Sequence, residues 1–164
     1  MTWNRSKLTV AGFNGFVRFA DLPSTNVPTG PGVYAVPREE DRPPRFRGQS
    51  PAGWFKGKDP TVPIERLRDR WIDGVHCLYI GKTDPGAAGR RGLARRLSEY
   101  RRHGEGQPVG HWGGRLIWQL EDADQLLVAW KETAGLSSAA AEEARLLTSF
   151  KDEYGRLPFA NLRR

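Results

Sequence analysis

One cysteine, one methionine and three histidines are all that 164 residues contain of these types. The lone Cys77 excludes an intramolecular disulfide and a cysteine-built zinc site. His76, His103 and His111 show no metal-ligand spacing. No long apolar run and no basic amphipathic anchor with lipidation signals are present, so no membrane partner is expected. Met1 to Val10 mixes Asn4, Arg5, Ser6 and Lys7 with apolar residues and lacks the hydrophobic core of a signal peptide. The expectation is a soluble, cytoplasmic protein. No internal repeat or long disordered linker interrupts it.

The charge balance is strongly one-sided. Net charge is +7, the pI is about 10, and arginine far outnumbers lysine. A basic surface of this kind suits a polyanionic partner, because its side chains displace condensed counterions from phosphate. Nucleic acid is the expected partner, and this length fits one domain over residues 1–164.

Apolar patterning predicts a small mixed domain, α/β in the α+β sense. Phe13 to Leu22 reads as an N-terminal strand, Gly32-Val33-Tyr34-Ala35-Val36 as a short buried strand and Val75 to Ile80 as a second core strand. Pro63 to Trp71 reads as a short helix, Gly86 to Gly92 as a loop and Leu93 to Arg102 as a helix. Arg115 to Leu120 and Leu126 to Glu132 are expected to form a hairpin, and a last helix is expected from Ser137 to about Tyr154. Between the two core strands, residues 37–73 carry prolines, glycines and charges. Arg42, Arg45, Arg47, Lys56 and Lys58 surround Trp54 and Phe55 there.

Several residues stand out chemically. In the last helix Leu136, Ala140, Leu147, Phe150 and Tyr154 fall on one stripe at helical spacing, with Glu143 within it and Glu142 directed toward solvent. A carboxylate on a buried stripe needs a cation, either a metal or an arginine in a structural ion pair. In the helix from Leu93, Leu97 and Tyr100 form the buried face, and Arg91 and Arg95 lie opposite, open to phosphate or to solvent. Arg96 flanks the apolar stripe beside Tyr100, where a guanidinium can reach a cleft and clamp a phosphate. Tyr34 and Tyr79 each sit in a short strand. Buried tyrosine is ordinary strand material, and service as a base requires a setting that favours the phenolate, expected here from Lys82 and Arg96. Gly81-Lys82-Thr83 is not a phosphate-binding P-loop, since His76 stands where its first glycine belongs. His111, in the glycine-flanked stretch Gly110-His111-Trp112-Gly113-Gly114, is a candidate for supporting proton transfer.

In this order the residues resemble the GIY-YIG nuclease superfamily. Gly32-Val33-Tyr34 is similar to the first tripeptide and Tyr79-Ile80-Gly81 to the second. Leu93 to Tyr100 resembles the arginine helix, aligning Arg96 and an accessory Tyr100. Glu143-Ala144-Arg145-Leu146-Leu147 resembles the glutamate helix, and Asn161 the late asparagine. Residues 37–73 intervene where the family has a short connection, and Asp152 to Leu157 lengthen the path to Asn161.

The resemblance implies a central antiparallel three-stranded sheet flanked by helices, here with the N-terminal strand and the hairpin added. It implies hydrolysis of DNA phosphodiester bonds with one divalent cation, Mg2+ or alternatively Mn2+, held by Glu143. A tyrosine, Tyr34 or Tyr79, assists the attacking water, Arg96 and Lys82 stabilise the phosphate, and Asn161 orients the site. The insertion, with Arg45, Arg47, Lys56 and Lys58, is expected to grip DNA beside Arg91 and Arg95. Two other readings are an inactive nucleic-acid-binding module on the same fold and a nuclease directed at RNA.

Overall fold

The structure is a computed structural model that describes residues 3–84, 91–134 and 138–162. Its centre is strand β2 (Gly32–Pro37), buried along its whole length. Successive side chains point to opposite faces of the strand, so Val33 and Ala35 feed one core while Tyr34 and Val36 feed the other. β3 (Cys77–Thr83) pairs antiparallel on one side of β2 and β4 (Leu127–Glu132) on the other, with β1 (Asn14–Arg18) outside β4. The order β1-β4-β2-β3 makes a four-stranded antiparallel sheet. β2 and β3 are the two expected core strands, β1 is the expected N-terminal strand, and β4, expected in an added hairpin, lies between β1 and β2.

Helices cover both faces. Helix α3 (Leu93–Gly104) buries Leu93, Leu97 and Tyr100 against the Tyr34 face; each such leucine contributes about 1.5–3 kcal/mol through its removal from water. Its first orphan N–H groups are satisfied by protein: Leu93 donates to the Gly30 carbonyl and Ala94 to Pro28, each at 2.9 Å. The opposite face takes α1 (Arg5–Val10) and α4 (Ala139–Tyr154), through Leu8, Leu146, Leu147 and Phe150. Ser138 caps α4 by accepting from Ala141 N–H at 3.0 Å, and Gly155 ends it at φ +74°. A short helix α2 (Ile64–Arg70) completes the set. Among the described residues, no helix is long and apolar enough to cross a membrane.

Three expectations are corrected. The strand expected from Phe13 to Leu22 stops at Arg18 and passes into a 3-10 helix over Phe19–Ser24, which turns Phe19 and Leu22 into the core under α3. Arg115 to Leu120 is not a strand and makes no hairpin with Leu126 to Glu132; a 3-10 helix kinked at Gly114 runs over Trp112–Gln119. Leu116, Ile117, Trp118 and Gln119 are all buried there, a run that a strand with one solvated face does not produce. The last correction concerns α4: Glu142, expected to face solvent, is buried, while Ala140 is exposed. Helix packing follows Ala139, Glu142, Leu146, Leu147 and Phe150, one position away from the expected stripe at its start. Leu136, Ser137 and the 86–90 part of the expected loop lie outside the described residues.

The insertion is tied to the core by polar contacts. The buried Gln119 amide donates to the carbonyls of Arg47 at 3.0 Å and Val62 at 2.8 Å, and accepts from Val62 N–H at 2.9 Å. Phe46 stacks on Phe159, and Trp71 meets both edge-on.

Candidate active site

Register brings the two sequence tripeptides together. Tyr34 pairs across the sheet with Gly81, and Val36 with Tyr79. The Tyr34 ring lies over Gly81 so closely that a Cβ there would sit 2.5 Å from Cζ and 2.6 Å from the hydroxyl. Gly32 is likewise obligatory, because a Cβ would meet the Lys131 carbonyl at 2.4 Å and the Leu93 side chain at 2.7 Å. Both glycines serve close approach: one lets a tyrosine cross the strand, the other lets α3 descend onto it.

Above the strands, His111 closes an aromatic cluster. Its ring stacks on Tyr100 with centroids 3.6 Å apart and planes 7° off parallel. Its Nε2 is 2.7 Å from the Tyr34 hydroxyl, and Tyr100 donates its own hydroxyl to the Gly114 carbonyl at 2.7 Å. Tyr79 lies beside Tyr34, ring centroids 6.1 Å apart. Tyr34 is 1% exposed and Tyr79 8%, so Tyr79 stands nearer solvent.

Electrostatics join this cluster to residues far away in the chain. Burial pushes the Tyr34 hydroxyl well above its usual pKa; neighbouring Tyr79 and, more weakly, Glu143 push the same way, and Arg96 pulls down. Burial pushes Tyr79 up to about 12, with Glu143 adding to the rise and Arg96 and a hydrogen bond with Tyr34 opposing it. The setting expected to favour a phenolate therefore does not form here: desolvation outweighs Arg96, and Lys82 bonds to Asp84 at 2.6 Å. His111 shifts well below its usual value, first through burial and then through the Arg96 charge, so it is neutral at pH 7.

Arg96 donates to the Gly110 carbonyl at 2.5 Å and to Glu99 at 3.2 Å. Burial works against its charge, but Tyr34, Glu99 and Tyr79 outweigh that and raise its pKa. It lines a cleft of about 600 Å³ with Lys82, Arg91, Arg95, Glu99 and Phe55. The Leu93, Ala94 and Arg96 N–H groups at the start of α3 are already engaged, and side chains supply the cations that line the cleft.

Glu143 reaches this cluster from α4 on the other side of the sheet, through its charge on Tyr34 and Tyr79. Its neighbour Glu142 is committed elsewhere: it accepts from Lys131 Nζ at 2.6 Å and from Arg145 Nε at 2.6 Å, and Arg145 first, with Lys131, draws its pKa down to about 2. Asn161 is also placed away from the cleft. Its side-chain amide accepts from Ile80 N–H at 3.0 Å and donates to the Ile80 carbonyl at 2.8 Å, continuing the ladder along the edge of β3. It holds the residue between Tyr79 and Gly81, which is a positioning contact.

The basic insertion is divided. Arg45 and Arg47 pair through their backbones with Gln119 and Glu121, at the bridge between Phe46 and Leu120, and do not line the cleft. Phe55 does line it, with Lys56 and Lys58 in the adjoining turn. Glu99 and the Gly110 carbonyl, which hold Arg96, were not singled out from sequence. Glu99 follows Arg96 at helical i,i+3 spacing, a signal that was present, whereas a loop carbonyl leaves none.

The chain matches no family model, no curated protein and no solved structure. Its reading therefore rests on its own geometry. Among the described residues, no group of three or more His, Cys, Asp or Glu side chains could enclose a metal. Asp84 and Glu99 line the cleft among its cations, and Glu143 acts on the tyrosines by charge from α4. Carboxylate oxygens of this kind suit a hard cation that takes its other ligands from phosphate and water, as Mg2+ does.

Proposed function

We propose that the protein is a GIY-YIG-type endonuclease that hydrolyses DNA phosphodiester bonds with the help of a divalent cation at Glu143. The observation that carries the reading is that paired strands set Tyr34 beside Tyr79, ring centroids 6.1 Å apart, with Arg96 acting on both and lining the cleft, and with Glu143 acting on both by charge alone. These four residues come from two strands and two helices.

In this reading a phosphate enters the cleft, takes Lys82 from Asp84 and accepts from Arg96 while the Gly110 carbonyl still holds that guanidinium. Arg96 is suited to the charge that develops on phosphorus-bound oxygens, because it is half-buried and its position is fixed before reaction. Tyr79, the more exposed tyrosine, hydrogen-bonds the attacking water. As that water's oxygen bonds to phosphorus, its proton passes to Tyr79, Tyr79's to Tyr34, and Tyr34's to neutral His111 Nε2. Such a relay suits tyrosines whose burial disfavours a standing phenolate. The P–O bond to the leaving strand breaks, and that oxygen takes a proton from solvent. Glu143 would hold the cation, whose positive charge would offset the negative charge that develops as the P–O bond breaks. Mg2+ is expected, with Mn2+ as a substitute.

Incubation of supercoiled plasmid with the protein tests this directly. Nicking or linearisation in Mg2+ that is abolished by EDTA is expected. Retardation without cleavage of plasmid and of DNA carrying unpaired tails would contradict it and leave a binding module, and cleavage confined to RNA would move the substrate.

A further inference from the structure

Trp54 is 55% exposed, and nothing in the proposed chemistry uses it. Large aromatic side chains normally bury their area, so a solvent-facing indole on a rigid frame calls for a partner. The frame around Trp54 is rigid on both sides. Before it, Gly53 donates its N–H to the His103 carbonyl at 2.9 Å, and the Gly53 carbonyl lies 3.0 Å from His103 Nε2. A Cβ at Gly53 would lie 2.0 Å from the Gln107 carbonyl, so the segment is seated directly on the end of α3.

After it, Phe55 and Lys58 exchange both backbone hydrogen bonds, at 3.2 and 3.0 Å, around Lys56 and Gly57. Both central residues have positive φ, +53° and +75°, the signature of a type I′ turn. Phe55 points back from this turn into the cleft, where a Cβ on Gly110 would sit 3.2 Å from its ring, and Gly110 is the residue whose carbonyl holds Arg96. Lys56 lies over the Phe55 ring, its ammonium 5.3 Å from the centroid. The half-buried Phe55 ring thus lines the phosphate cleft, and the exposed Trp54 indole with Lys56 and Lys58 adjoins it in the same short, hydrogen-bonded segment.

We propose that this segment is a stacking platform for an unpaired nucleobase adjoining the phosphate held in the cleft. The substrate class is therefore DNA with single-stranded or locally unpaired nucleotides next to the scissile bond, such as an overhang, flap or bubble. Stacking is open to any base because every base presents a π face, and the paired bases of an intact duplex do not offer that face to a side chain. Lys56 and Lys58 supply the charge that the flanking phosphates require. The inference rests on the nuclease reading for its scissile phosphate, but base stacking itself is measured without turnover.

Fluorescence anisotropy in EDTA with labelled oligonucleotides tests it: a blunt duplex, the same duplex carrying an unpaired tail, and the matching RNA-tailed duplex. Wild type is expected to bind the tailed DNA at least tenfold more tightly than the blunt one. Trp54→Ala should collapse that ratio by about tenfold, and Trp54→Phe should keep most of it. An unchanged ratio in Trp54→Ala, or equal binding of blunt and tailed DNA by wild type, overturns the platform. A stronger preference for the RNA tail overturns the assignment to DNA. No tail preference in wild type, with Mg2+-dependent cleavage present, would sink only the platform; a tail preference without any cleavage would sink only the nuclease.

Discussion

The Tyr34 hydroxyl and His111 Nε2, 77 positions apart in sequence, are 2.7 Å apart in the fold, and both are buried. Strand β2 fixes the tyrosine, and the stack on Tyr100 fixes the imidazole. Removing one partner leaves the other desolvated and unpaired. Tyr34→Phe is therefore expected to lower stability by about 1–3 kcal/mol in urea titration. Cleavage should fall well beyond what the loss of folded protein explains. Equal activity per folded molecule would remove Tyr34 and His111 from the proton path.

His111 also sets a pH dependence. Its folded pKa lies well below the usual value of about 6.5, through burial and through Arg96, with Tyr34, Tyr79, Tyr100 and His103 as its other titratable neighbours. The unfolded chain then binds more protons than the folded one as pH falls below about 6.5. Stability is full above that pH and declines below it. His103, lowered mainly by burial, acts in the same direction. Thermal melts between roughly pH 7 and 5 should show a falling midpoint, and His111→Gln should flatten the slope.

The closeness of Gly81 to Tyr34 gives a steric prediction. An added methyl 2.5 Å from Cζ forces the ring or the strand to move. Gly81→Ala should cost about 1–3 kcal/mol as an overpacked core and should displace the Tyr34 hydroxyl from His111. Denaturation curves superimposable on wild type would contradict the packing described.

Adjacent glutamates in α4 are expected to behave differently. Glu142→Gln weakens its contacts with Lys131 and Arg145 and should lower stability by about 2 kcal/mol, while metal-dependent cleavage per folded molecule persists. Glu143→Gln should lose turnover per folded molecule well beyond any change in stability.

Asn161 contributes through β3. Asn161→Ala removes two hydrogen bonds to the Ile80 backbone and should cost about 2 kcal/mol. Faster hydrogen exchange at the Ile80 amide is the direct readout. Protection equal to wild type would show that the edge is held by other contacts, such as the Ala160 N–H to the Leu78 carbonyl.

Local pattern made β2, β3 and α3 legible, because their apolar residues recur at strand or helix spacing and their glycines mark close approach. Other features depended on contacts between distant segments. Arg115 to Leu120 looks strand-like in composition, but enclosure by α3 and the insertion buries consecutive residues, which erases the strand period. The docking of β1 against β4 joins segments more than a hundred residues apart. In α4 the apolar stripe was broad enough to admit two phases, and the phase seen buries Glu142 in an ion pair with Lys131. The tyrosines, Arg96 and Glu143 could be named from sequence, whereas the dominance of burial over Arg96 in their titration required the packed structure.

Single-turnover cleavage of an oligonucleotide substrate in Mg2+, comparing wild type with Glu143→Gln and Arg96→Ala at matched folded concentration, tests the account most directly. Metal-dependent strand scission that falls by at least about a hundredfold in both variants, with DNA still bound, is the result expected. Scission that persists in both, or that never occurs with wild type on paired or tailed DNA, would contradict it.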